Sequence, residues 1–190
     1  AAIKARQPEL RTEKLIRYKK DFDIPDYDAQ IITNSKHMAD LFEAATAICK
    51  KPKKVSNWLM GETLRLLKEN NMDPEDLSFA PENLAKLVDL ADAGTVNSSV
   101  AKEVFEQIFK ENVDPEVYIE EHGLKTVNDE GALKATIEQI VSENPQSVAD
   151  YKGGKKKAIG FLVGQTMKAM KGKADPASVN KILKEILDQE

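Results

Sequence analysis

Apolar residues recur along this 190-residue chain at spacings of three and four. That is the period of a helix buried on one side, and no stretch alternates long enough to argue a strand. The pattern predicts an all-α protein. A first helix spans residues 8–20, with Pro8 tolerated in its first turn and Leu10, Leu15, Ile16 and Tyr18 as its larger apolar members. Residues 22–25 break it, and a short helical piece covers 26–33. Ser35 is placed to cap a helix through Ile48, whose face is Met38, Leu41, Phe42, Ala45 and Ile48. Residues 50–54 read as a basic connector containing Pro52. The run KVSNWLMGETLRLLKEN then gives a broadly apolar helix, with Val55, Trp58, Leu59, Met60, Leu64, Leu66 and Leu67, of the kind found at the centre of a bundle. Gly61 inside it costs roughly 1 kcal/mol relative to alanine. Close packing against another helix would offset that cost. Asn57 is expected as a core residue bonding across the bundle, and Trp58 as a buried one.

The second half continues in the same period. A helix over 81–93 ends at Gly94. Asn97 or Ser98 caps the next, which runs to about Lys110 with Val100, Val104, Phe105, Ile108 and Phe109 inward. Asp114-Pro115 opens a short helix stopped by Gly123. The segment TVNDEGALKATIEQIVSEN carries Leu133, Ile137, Ile140 and Val141 on one side. Pro145 opens a short turn of helix ending near Gly153. Two helices close the chain, over 155–170 and 176–190, the last capped by Asp175 with Pro176 at its first position. Its packed face is Val179, Ile182, Leu183, Ile186 and Leu187. The organisation expected is a helical bundle over 1–120 and a smaller helical domain over 121–190, with the border within 111–130.

Composition narrows the chemistry. The single cysteine, Cys49, excludes an intramolecular disulfide and a multi-cysteine metal site. The only histidines, His37 and His122, are far apart and in no HxxxH or HExxH pattern. Ser98-Ser99 sits where capping explains a serine better than nucleophilicity does, and Glu43, Glu62 and Glu69 have ordinary helix-surface spacing. No catalytic constellation emerges. The chain opens without a secretory leader pattern, and its first residue is alanine, so it is expected to be cut from something longer. The expected setting is the cytoplasm, or an organelle matrix after processing, with no membrane contact.

Charge is distributed unevenly. Residues 151–190 hold nine lysines and four acidic side chains, whereas 1–150 hold 19 basic and 28 acidic ones. The basic end contains YKGGKKKAIGFLVGQTMKAMKGKAD. It is no phosphate loop, because neither Gly154-Lys155 nor Gly172-Lys173 is followed by Ser or Thr. Its apolar part is far shorter than the roughly 20 residues a membrane span requires. At 100° per residue, Lys157, Gly160, Gly164, Lys168 and Lys171 fall on one side of a helix. One reading is ordinary packing, with both glycines meeting another helix. The other is a polyanion surface, in which lysines neutralise phosphates without reading base identity. Gly153 and Gly154 would then add backbone N–H donors beside a helix N-terminus. Arginine is absent from this region, which disfavours bidentate base reading and suits shape recognition of a structured RNA.

The runs NWLMGETLRLL, GTVNSSVAKEVFEQIF and FLVGQTMKAMKGKADPASVNKILKE, with a PEL near Pro8 and YDAQIIT at 27–33, resemble the B subunit (GatB) of the aspartyl/glutamyl-tRNA amidotransferases. Part of the region is shared with the small YqeY-like proteins. The resemblance covers nearly the whole chain and places it in the C-terminal portion of GatB. It implies an enzyme that converts misacylated Glu-tRNA(Gln) or Asp-tRNA(Asn) to the amide using ATP, magnesium and glutamine. It also implies two protein partners, the glutaminase subunit of that enzyme and its small third subunit, and a tail that engages the outer corner of tRNA. The catalytic cradle of GatB has no counterpart here, so no catalytic, cofactor-binding or metal-binding residue is expected in the chain. The tRNA-binding residues implied are Lys155, Lys156, Lys157, Gly160, Gly164, Lys168, Lys171 and Lys173. The alternatives are a free-standing YqeY-like interaction or tRNA-associated module, which would lack a segment like residues 1–35, and a self-contained enzyme.

Overall fold

The computed structural model describes residues 9–127 and 130–189, and among these every regular element is helical. The chain forms two compact units, one of Ala1–Asp92 with Lys102–Glu121 and one of Ala93–Ala101 with His122–Glu190.

The first unit contains α1 (Arg11–Asp21), α2 (Asp26–Asn34), α3 (Lys36–Cys49), α4 (Pro52–Trp58), a π turn (Leu59–Thr63), α5 (Leu64–Asn70), a 3-10 turn (Pro74–Asp76) and α6 (Pro81–Asp92). It also holds most of α7 (Ser98–Glu111) and all of α8 (Pro115–Glu121). Helix α3 packs against α6, α1 against α2, and α2 against α3. Tyr18, Phe42, Leu59, Leu84, Leu87, Phe105 and Ile108 are fully buried. Tyr18, Phe22 and Phe42 form one aromatic cluster, with ring centroids 4.8–5.7 Å apart. Trp58, Phe79, Phe105 and Phe109 form another.

Several predicted features shift. Helix α1 starts at Arg11, where the Leu10 N–H donates to Glu13 Oε2 at 3.1 Å; Pro8 lies outside the described residues. The Ser35 hydroxyl accepts from the Met38 N–H as expected. Ile48, however, is 49% exposed, because Cys49 continues the buried face four residues after Ala45. Pro52 opens α4 instead of sitting in a connector, since the first position of a helix has no use for its missing N–H. The segment around Gly61 departs furthest. The π turn adds a residue to one turn, yet Val55, Ser56, Leu59, Thr63, Leu66 and Leu67 stay on one buried face through it. Gly61 and Asn57 lie opposite that face: Gly61 meets open space, Asn57 is exposed, and Trp58 is half-buried. No helix packs on Gly61 among the described residues. The Thr63 hydroxyl, fully buried, donates to the Trp58 carbonyl five residues back.

The second unit contains α9 (Glu130–Glu143), α10 (Pro145–Lys152), α11 (Lys157–Ala169) and α12 (Pro176–Gln189). Its core is Leu133, Ile137 and Ile140 of α9, Leu162 of α11, Ala174, and Val179, Leu183 and Leu187 of α12. Val141, Ile182 and Ile186 border it. Asp175 caps α12 by accepting from the Ser178 N–H at 2.8 Å. Glu190 lies outside the described residues.

Polar bonds also organise the first unit. Glu43 Oε1 accepts from Lys14 Nζ at 2.7 Å, Arg17 Nη2 at 2.8 Å and the Tyr18 hydroxyl at 2.7 Å. Burial pushes the Glu43 carboxyl up, but these three hydrogen bonds outweigh it and hold it below the usual range. A carboxylate lowered on folding contributes stability above its unfolded value near 4.5 and loses it as pH falls through the folded value. Urea denaturation should therefore show Glu43→Gln less stable than wild type by about 1–2 kcal/mol at pH 7. The difference should shrink steadily below pH 4.5. A pH-independent difference would assign the loss to packing. Because Trp58 is only half-buried against Phe105, at 5.2 Å, Trp58→Ala should cost less than the roughly 3–5 kcal/mol of a fully buried indole. Denaturant melts measure that cost, and a larger value would place the indole fully in the core.

Candidate functional site

The sequence of α11 dictates which side is buried. Leu162 and Thr166 are fully buried, and Ile159, Val163, Met167 and Met170 pack partly against the same core. Thr166 satisfies its hydroxyl by donating to the Leu162 carbonyl at 2.9 Å. The opposite side carries Lys157, Gly160, Phe161, Gly164 and Lys168, all exposed. At 100° per residue these five fall within a sector of about 100°.

Glycines in this strip meet nothing. A Cβ built on Gly160 or Gly164 finds no heavy atom within 4 Å. Among the described residues no helix packs on either, so they give the ordinary-packing reading of these glycines no support.

Two turns of one kind bracket α11. Before it, the Gly154 N–H bonds the Tyr151 carbonyl at 2.9 Å, and the Lys155 N–H bonds the Asp150 carbonyl at 2.9 Å. Gly154 takes φ +88°, the left-handed conformation that lets the chain close α10 in a Schellman turn. After it, the Lys171 N–H bonds the Lys168 carbonyl at 3.0 Å, and the Gly172 N–H bonds the Met167 carbonyl at 2.8 Å. Lys171 and Gly172 take φ +52° and +73°. Two expectations are corrected by this geometry. The Gly153 and Gly154 N–H groups are engaged inside the chain, Gly153 with the Ala149 carbonyl at 2.8 Å, and are not free for an anion. Lys171 is not a helical residue; it leads out of α11 through the closing turn.

The second turn is tied down within its unit. The Asn97 side-chain amide donates to the Gly172 and Ala174 carbonyls, while its Oδ1 accepts from the Val100 N–H at 2.9 Å. The Val127 N–H donates to the Lys173 carbonyl at 2.9 Å, and the Thr126 N–H to the Thr95 carbonyl at 2.8 Å. Asn97 thus caps α7 and anchors the basic turn. Sequence reading found the first role alone, because its turn partners lie some 75 residues away.

The eight lysine and glycine positions divide accordingly. Lys155 is exposed but pairs with Asp150 at 3.0 Å, and this hydrogen bond holds the Asp150 carboxyl below its usual range. Lys156, Lys157, Lys168 and Lys171 are exposed and pair with no acidic side chain among the described residues. Lys173 is half-buried, its Nζ 3.9 Å from a Cβ built on Gly123. Phe161, 48% exposed, was missed by the sequence reading. Its spacing from Lys157 and Gly164, four and three residues, is the signal that would have found it. Among the described residues no group of three or more His, Cys, Asp or Glu side chains could hold a metal ion, and no helix is long and apolar enough to cross a membrane.

Comparison with known proteins adds lineage to this geometry. A family model described as the GatB domain matches residues 40–187. An aspartyl/glutamyl-tRNA(Asn/Gln) amidotransferase B subunit from Agathobacter rectalis is 70% identical over 98% of this chain and 39% of its own length. The proteins of that name from Lachnoclostridium phytofermentans and Thermoanaerobacter sp. are 62% and 47% identical over the same shares. The chain therefore spans about two-fifths of the length of these relatives.

The anchored turn gives a testable consequence. Asn97→Ala removes a cap and frees two carbonyls, so it should destabilise the second unit by about 1–2 kcal/mol. Hydrogen exchange should quicken at the Lys171, Gly172 and Lys173 amides. Unchanged protection at those amides would show that the turn holds without Asn97.

Proposed function

We propose, from the premise that the chain belongs to the GatB domain family, that its second unit holds tRNA through the exposed strip of α11 and the lysines at its two ends. The observation that carries this reading is that Lys156, Lys157, Lys168 and Lys171, without acidic partners among the described residues, surround two glycines with open space above them. Ammonium groups on an open floor suit a sugar-phosphate backbone, which needs charge and close approach more than base-specific donors. Lys155 and Lys173 join at the edges, Lys155 after releasing Asp150.

The rest of the reading follows the relatives' names. The chain serves as the RNA-holding part of an amidotransferase B subunit. Together with a glutaminase subunit and a small third subunit, that protein forms Gln-tRNA(Gln) and Asn-tRNA(Asn) in the cytoplasm. Residues 1–120 act as the bundle and 121–190 as the tail. The residues present do not fit an ATP-magnesium site: no phosphate-loop pattern occurs, and no acidic or histidine cluster stands ready for a metal among the described residues. That chemistry is assigned to the remainder of the longer protein, and the chain alone should not transamidate.

Salt-dependent tRNA binding tests the strip. Changing Lys157, Lys168 and Lys171 together to glutamine should weaken cognate and non-cognate tRNAs by similar factors. The slope of log affinity against log salt should fall by about one unit for each phosphate left without its ammonium. Gly164→Leu should also weaken binding, yet leave the melting temperature unchanged or higher, since its Cβ meets nothing and leucine favours helix. A folded triple variant with wild-type affinity and slope would remove the strip as the RNA surface.

A further inference from the structure

Phe161 is the one large apolar side chain of the second unit that stands out in the open among the described residues. Single exposed hydrophobics are common and need no explanation by themselves. The surroundings of this one are unusual. Its helical neighbours toward the strip are Gly160 and Gly164, which offer no side chain to cover it, and a Cβ at either would meet nothing. Lys157, four residues before, and Lys168, seven after, flank it along the same sector. Neither lysine is drawn away by an acidic partner among the described residues. A half-exposed aromatic ring therefore stands among the lysines of the strip, beside two glycines.

An apolar partner would find cations on both sides, whereas a nucleic-acid loop satisfies both components at once. Its phosphates meet the lysines, and an unpaired base presents a π face of the same shape as the ring. Structured RNAs are recognised in this way at loops whose bases are splayed from the stack. We propose that Phe161 stacks on an unpaired base of the RNA bound by this strip. The proposal rests on the tRNA-binding reading and deepens it: lysines supply charge that any RNA accepts, and Phe161 supplies preference for a loop over a continuous duplex.

The test uses the full chain with two labelled probes, an unmodified tRNA transcript and a fully paired RNA duplex of matching length. Binding anisotropy is followed over several salt concentrations. Phe161→Ala should weaken tRNA binding about 5- to 150-fold, the range that loss of one stacked base implies. The salt slope should stay at its wild-type value, because every phosphate keeps its ammonium partner. Phe161→Trp should retain tRNA affinity. Phe161→Leu keeps apolar bulk and the buried half of the side chain, so it controls for folding, and it should bind as weakly as Phe161→Ala. Duplex affinity should be equal in all four proteins. Wild-type tRNA affinity in Phe161→Ala, full rescue by leucine, or an equal loss on the duplex would each overturn stacking. If the triple lysine variant loses tRNA affinity while Phe161→Ala does not, stacking falls and the RNA surface stands. If the wild-type chain binds no tRNA, both fall.

Discussion

The second unit depends on how the backbone polar groups at the two ends of α11 are satisfied. A helix leaves its terminal N–H and C=O groups without intrahelical partners, and something must bond them. At the C-terminal end of α11 a Schellman turn does so; at its start the Ala158 N–H donates to the Lys155 carbonyl at 2.9 Å, just after another Schellman turn has closed α10. Each turn fixes where a lysine cluster emerges. Lys155 and Lys156 leave the first, and Lys171 and Lys173 leave the second. The glycines that looked like free anion donors are consumed in making this geometry, and the lysines are what remains available to a ligand.

Between the turns, burial of Leu162 and Thr166 sets the rotation of α11 and therefore turns Gly160 and Gly164 outward. Each interior glycine costs roughly 1 kcal/mol against alanine. At most helix-interior glycines a neighbouring backbone explains the choice by close approach. Here no neighbour within the described chain comes near, so the fold's own packing does not account for either residue. The same holds for Gly61, which lies in the π turn and faces out beside Trp58 and Glu62.

Much of the helical order was legible because apolar spacing and caps agree. Ser35, Asn97, Asp114 and Asp175 each accept backbone N–H groups at a helix start, as their residue types require. What escaped was of two kinds. A π turn leaves no mark in the apolar spacing, and Asn57 and Gly61 fall on the side opposite buried Val55, Leu59 and Leu66, where no core role is open to them. The end of α11 was read to within one residue, Met170 against Ala169, but the turn that makes it was not, because lysine, not glycine, takes the first left-handed position there, with Gly172 following it. The preference of that position for glycine is strong but not absolute, and the anchoring by Asn97 comes from a segment no local pattern connects to it. For the site, lysines and glycines could be named from the sequence, but their freedom could not. Lys155 and Lys168 look alike in sequence; one faces Asp150 and the other does not.

That difference in pairing separates the two units electrostatically. In the first, basic side chains are largely engaged: Arg17 with Glu9 and Glu43, Lys51 with Asp89 and Asp92, Lys54 with Asp92, and Arg65 with Glu62, Glu69 and Glu106. Exposed pairs of this sort add little stability each, about 0–1 kcal/mol. They do, however, offset the charge of that unit's lysines and arginines. Around α11 the lysines outnumber nearby carboxylates, and one of those, Asp175, is committed to capping α12. Lysines without acidic partners among the described residues therefore gather around α11, beside its outward-facing glycines.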